Sequence, residues 1–124
     1  MKELGTNYLD HLLLHSPIEN LISSSWKVME EVYFAGKALK IGVSNFEVVD
    51  LDILLKNATV KPYVNQFEIS PFNTRNGLVE YCKLKDIKIQ AYGSLTRCKK
   101  INDHEFKNIC EKIKEKNYTM SNFT

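Results

Sequence analysis

A chain of 124 residues has room for one small domain with a modest core, and 44% apolar with 26% charged residues is the balance of a globular protein, which excludes a disordered one. The net charge of +2 comes from intermixed Lys and Glu without a clustered basic face, so nucleic acid is not expected as a partner. Met1-Lys2-Glu3-Leu4-Gly5 has no apolar signal core and no apolar run approaches the ~20 residues that span a bilayer, so no membrane association is expected and the location expected is cytoplasmic. Cys82, Cys98 and Cys110 are scattered without Cys-x-x-Cys spacing, which reads as reduced thiols and no metal site. The triplets starting at Asn57, Asn117 and Asn122 fit the glycosylation pattern, but without a secretory signal they read as chance matches.

In chain order the pattern alternates strand and helix. Tyr8 to Leu14 predicts a strand, and Ser24 to Ala35 a helix with Ser as its cap and Gly36 as its stop. Leu39 to Val43 predicts a second strand, followed by a helix over Val48 to Asn57 with Val, Leu and Ile at helical spacing. A third strand is expected at Tyr63 to Phe67, entered through Pro62, and a third helix at Asn76 to Lys85. Ile87 to Tyr92 is the fourth strand and Asp103 to Lys116 the fourth helix, with Ile109, Cys110 and Ile113 on one face. Connections are short, and no linker marks a domain boundary.

Strands separated by single helices run parallel, which leaves an open doubly wound sheet or a closed barrel. In both, chemistry collects where the strands end. The first strand ends in His15, the second in Ser44-Asn45, the third includes Asn65-Gln66 and the fourth ends in Tyr92. Any one such residue is more often a turn or a capped core position, but four in succession favour a functional rim.

The stretches YLDHLLLHSP, WKVMEEVYFAGKALKIGVSNF, PYVNQFEISPF and YCKLKDIKIQAYGSL occur in the order and spacing of the aldo-keto reductases, and the chain resembles that family through essentially all its 124 residues. The resemblance implies a parallel (β/α) barrel of TIM type of which about half is present, four βα units matching the family's strands four to seven. Residues 1–124 are then one partial NADP-dependent oxidoreductase domain. It also implies the chemistry, in which hydride passes from a reduced nicotinamide to the carbonyl of an aldehyde or ketone while a tyrosine gives the oxygen a proton. By resemblance, His15 orients the carbonyl, Ser44, Asn45 and Gln66 hold the nicotinamide carboxamide, Tyr92 stacks beneath the ring, and Leu95 lies in the cofactor loop. Trp26, Met29 and Glu30 match a helix pattern read as structural; Asn65 and Glu68 receive no chemistry.

Departures from the family matter as much. Gly93-Ser94-Leu95 stands where Ser-Pro-Leu is usual, which removes a serine contact to the cofactor pyrophosphate. His11 replaces a usual leucine, on the same strand face as His15, and is read as a cost inside an apolar barrel or as a sign of relaxed constraint, not as a second catalytic group; His104 is read as a solvated surface residue. A full barrel takes about 250 residues. Both ends are expected to stop inside the pattern, and the family's catalytic tyrosine, lysine and aspartate precede the matched part. Tyr8, Tyr33, Tyr63, Tyr81 and Tyr118 are all expected away from the rim. Two readings follow: part of a carbonyl reductase that is inactive as an isolated chain, or a non-enzymatic remnant or interaction module keeping part of a nicotinamide rim. In either, the open sheet edges favour self-association.

Overall fold

The computed structural model describes residues 3–98 and 102–114. Among them the elements run β1 (Leu9–Leu14), α1 (Ile22–Phe34), β2 (Ala38–Ser44), α2 (Val48–Asn57), β3 (Val64–Glu68), α3 (Asn76–Leu84), β4 (Lys88–Tyr92), a short 3₁₀ turn (Thr96–Cys98) and α4 (His104–Lys114). The strands form one sheet in the order β1-β2-β3-β4. β1 lies parallel to β2 with Leu13 beside Gly42, and β2 lies parallel to β3 with Ser44 beside Gln66. This is the alternation expected from the sequence. The shared face proposed for Ile109, Cys110 and Ile113, Tyr118, and the whole of 115–124 fall outside the described side chains and residues.

Local chemistry explains most of the boundaries. α1 starts at Ile22, two residues before the expected Ser24, because the Ser24 hydroxyl donates back to the Leu21 carbonyl (3.0 Å) and caps nothing. Its end is as expected. Gly36 takes φ +68, and the Gly36 and Lys37 amides donate to the Tyr33 and Val32 carbonyls at 2.9 and 3.1 Å, which satisfies the last turn. α2 opens with a capping box in which the Glu47 side chain accepts from the backbone of Asp50, while the Asp50 carboxylate accepts from the Glu47 amide at 2.9 Å. The Asp103 carboxylate accepts from the Glu105 amide (2.9 Å) at the head of α4, where His104 is exposed as expected.

Two compact units make up the chain, Met1–Phe67 with Asn76–Gln90, and Glu68–Arg75 with Ala91–Thr124. In the first, the helix-facing side of the sheet holds the core: Trp26, Ile41, Val43, Phe46, Leu51, Leu54 and Cys82 are each under 2% exposed or close to it. Cys82 is a free thiol, and burial pushes its pKa up, partly offset by Asn65. Trp26 and Glu30, one helical turn apart, grip the loop that feeds β3. The Trp26 indole N–H donates to the Val60 carbonyl (2.9 Å), and the buried Glu30 carboxylate accepts from the Thr59 and Val60 amides at 2.6 and 2.7 Å. Both residues are therefore structural, as their pattern suggested.

The opposite face of the sheet is close-fitting at one point. A Cβ on Gly42 would lie 2.6 Å from the Val64 carbonyl oxygen and 2.8 Å from Leu13 Cδ2, so no side chain fits there. His11 requires a correction. It is exposed rather than sunk in an apolar interior, with its ring tilted against Tyr63 at 5.3 Å between centroids, so it bears little of the expected desolvation cost.

Candidate functional site

Three strands of the first unit end at one rim. β2 arrives there deeply buried, and Ser44 is 3% exposed. Its hydroxyl donates to the Gln66 carbonyl at 2.8 Å, and the Asn45 amide N–H donates to that same oxygen at 2.8 Å. Asn45 turns the chain with φ +59, a left-handed conformation that asparagine tolerates better than most residues. Its side-chain nitrogen donates to the His15 carbonyl (2.9 Å) and to Ser44 Oγ (3.1 Å). His15, Ser44, Asn45 and Gln66 are thus joined in one hydrogen-bonded cluster, with the Gln66 carbonyl at its hub.

What this cluster can offer a ligand follows from which groups it has already used. The Ser44 hydroxyl hydrogen and both hydrogens of the Asn45 amide are directed at protein acceptors. Among the described residues, neither the exposed His15 imidazole nor the half-buried Gln66 side-chain amide has a hydrogen-bond partner. An imidazole and a primary amide supply both donors and acceptors, held on a backbone that its neighbours fix. Asn65, beside Gln66, serves the other side of the sheet: it is fully buried, and its side-chain nitrogen donates to the Phe46 carbonyl at 2.9 Å. That bond ties β3 to the turn after Asn45.

Tyr92 and Leu95 belong to the second unit. There the Tyr92 carbonyl accepts from the Ile69 amide at 3.2 Å, and the chain then turns through Gly93 at φ +64. Thr96 and Arg97 also take positive φ, 52° and 51°, which is uncommon for a β-branched residue, and the Thr96 amide closes the turn on the Gly93 carbonyl at 2.7 Å. With Glu68, Ser70, Phe72 and Asn73, this turn lines an open pocket of about 440 Å³. A Cβ on Gly93 would meet Glu68 Cγ at 3.3 Å, so a serine there would be strained in φ and tight against Glu68. The change from serine to glycine, visible in the sequence, is matched by a backbone that favours glycine.

Sequence reasoning missed the Gln66 carbonyl, because a backbone acceptor carries no side-chain signature. It also missed Thr96 and Arg97, whose conformation no local pattern announces. The tyrosines are placed as expected where described: Tyr33 lies on α1, Tyr81 on α3, and Tyr8 and Tyr63 just ahead of β1 and β3. Tyr81 hydrogen-bonds the Asp52 carboxylate, and burial, then that bond and the carboxylate's charge, push its phenol from 10.0 to about 12.

Comparison with known proteins gives this geometry its context. The Aldo/keto reductase family model matches residues 1–117. An NADPH-dependent alpha-keto amide reductase of Saccharomyces cerevisiae is 47% identical over 103 residues, covering 77% of this chain and 33% of that protein. A glyoxal reductase of Bacillus subtilis is 38% identical over 112 residues, 90% of this chain and 41% of that protein. Among solved structures, an aldo/keto reductase from Brucella melitensis superposes with a TM-score of 0.77 at 34% identity, covering 90% of this chain and 43% of that one. A Bombyx mori aldo-keto reductase in complex with NADP gives 0.70 at 34% identity, over 73% of this chain and 33% of that one. The chain therefore spans less than half the length of the relatives it matches, 33% and 41% for the two curated ones. No helix among the described residues is long and apolar enough to cross a membrane.

Proposed function

Because this chain belongs to the aldo/keto reductase family, we propose that it forms the nicotinamide-holding half of a cytoplasmic, NADP-dependent carbonyl reductase. The observation that carries this reading is the strand-end cluster, in which His15 and Gln66 keep unengaged polar side chains on a backbone locked by Ser44 and Asn45. The cofactor, when bound, supplies the hydride that reduces an aldehyde or ketone. Gln66 holds the nicotinamide carboxamide, and Ser44 and Asn45 contribute by fixing the rim that presents it. Tyr92 stacks against the ring, and Leu95 belongs to the loop that borders the cofactor. His15 orients the carbonyl oxygen by donating a hydrogen bond where negative charge develops.

The proton donor lies outside these residues in this reading, so the isolated chain holds a nicotinamide weakly and turns over no substrate. NADPH titration followed by fluorescence, alongside a carbonyl reduction assay, tests both statements. The expected result is saturable binding that Gln66→Ala weakens about 3- to 10-fold, the worth of one or two hydrogen bonds, without turnover. Turnover by the purified chain that His15→Ala abolishes would overturn the assignment of the proton donor. Absence of binding would remove the nicotinamide reading itself.

A second reading has its own support, since β1 and β4 stand at the two ends of the sheet and β1 contains no fully buried residue. Such edges favour pairing with a second chain, which makes an interaction module the alternative. Size-exclusion chromatography over a range of concentrations distinguishes them: a concentration-dependent dimer supports the module, and a monomer throughout argues against it.

A further inference from the structure

At the end of the first unit remote from the strand-end cluster, near the starts of β2, β3 and β4, three lysines from separate segments surround a cleft of about 200 Å³. Lys40 stands near the start of β2, Lys61 on the loop before β3, and Lys88 opens β4. The flanking groups are Tyr33, Tyr63 and a single acid, Asp86. We propose that this cleft is an anion-binding site for the phosphate group of a small phosphorylated molecule, separate from any function of the opposite rim.

Charge is the first argument. Three ammonium groups face one carboxylate, so the cleft holds an excess of two positive charges in a chain whose total is +2. Preorganisation is the second. Lys61 Nζ donates to the Lys85 carbonyl and to Asp86 Oδ2, each at 3.0 Å, so its ammonium is held in place. Lys88 Nζ sits 3.9 Å from Asp86 Oδ1, a loose pairing that leaves its charge incompletely met. Lys40 Nζ lies over the Tyr63 ring, 4.9 Å from its centroid, a contact that positions the cation and consumes none of its charge on an acid.

A doubly charged oxyanion suits this arrangement better than a carboxylate does, because its oxygens diverge and each can meet a different ammonium. Tyr33, Tyr63, Ile41 and Val60 also line the cleft and give it a partly apolar border for an attached organic group. Isolated surface lysines would be screened over about 8 Å at physiological salt, but groups gathered around one cleft act on a bound anion inside that distance.

Calorimetric titration of the full chain with inorganic phosphate at constant ionic strength tests the assignment. Saturable binding is expected, weakened tenfold or more in Lys40→Met/Lys88→Met and unchanged in Lys56→Met, which removes an equal charge from the end of α2. Failure of the unaltered chain to bind phosphate saturably would overturn the site, whatever the variants do. So would equal weakening by Lys56→Met, which would mark a diffuse attraction. Should the double Met variant melt early, Lys40→Arg/Lys88→Arg keeps the charges and must retain saturable binding.

Discussion

β1 and β2 are neighbours of almost equal length and both are rich in aliphatic residues, yet they live in different surroundings. Five of the seven residues of β2 are buried, and none of the six in β1 is. Leu12, Leu13 and Leu14 remain partly exposed, whereas Ile41 and Val43 on the adjoining strand are 2% and 0% exposed. Position in the sheet, rather than hydrophobicity, sets that difference. A strand flanked on both sides and covered by α1 becomes a fixed support, and the polar residues at its end inherit that fixity. His15, at the end of the edge strand, obtains its anchorage from β2 through the Asn45 side chain.

Gly42→Ala should break the contrast most severely, since the new methyl meets Val64 and Leu13 at under 3 Å. A loss of about 3 kcal/mol is expected in denaturant melts, the upper range for overpacking. Next comes Glu30→Ala, which strands the Thr59 and Val60 amides and should cost about 2 kcal/mol by the same measurement. Leu12→Ala, on the edge strand, should cost only about 1 kcal/mol, because the side chain is half-buried from the outset. A larger loss at Leu12 than at Glu30 would show that β1 is covered in solution. Ser44→Ala should cost about 1 kcal/mol and loosen the Asn45 turn, seen as faster amide exchange at Asn45.

A further effect is confined to alkaline pH and concerns Tyr81, whose phenol is raised from 10.0 to about 12 in the folded chain. A raised acid favours folding while it stays protonated, so this contribution is complete below pH 10 and is lost as pH climbs from 10 to 12. The melting temperature should therefore fall more steeply over that window in the native chain than in Tyr81→Phe.

Much of this was legible in the sequence, and the exceptions have physical reasons. The α2 limits were read correctly because apolar spacing and a change of composition coincide at Val48 and Asn57. The α1 start was misplaced because serine near a helix head is a cap only when its hydroxyl reaches forward, and here it reaches back. His11 was misjudged because strand alternation gives the face a side chain takes but not whether that face is covered. The polar residues of the rim stood out from their position at strand ends. Their mutual wiring did not, since it runs through the carbonyls of His15 and Gln66. Nor could the lysine cleft be seen in a sequence without a basic run, because it is assembled from Lys40, Lys61 and Lys88 only on folding.

The bare spot at residue 42 also acts as a gauge for alignment. Leu13 and Val64 close over a place where only hydrogen fits, so a slip of β2 by a single residue would drive Ile41 or Val43 into that space. Misaligned chains would be rejected sterically while the sheet assembles, and those that pass arrive with His15, Ser44 and Gln66 already abreast.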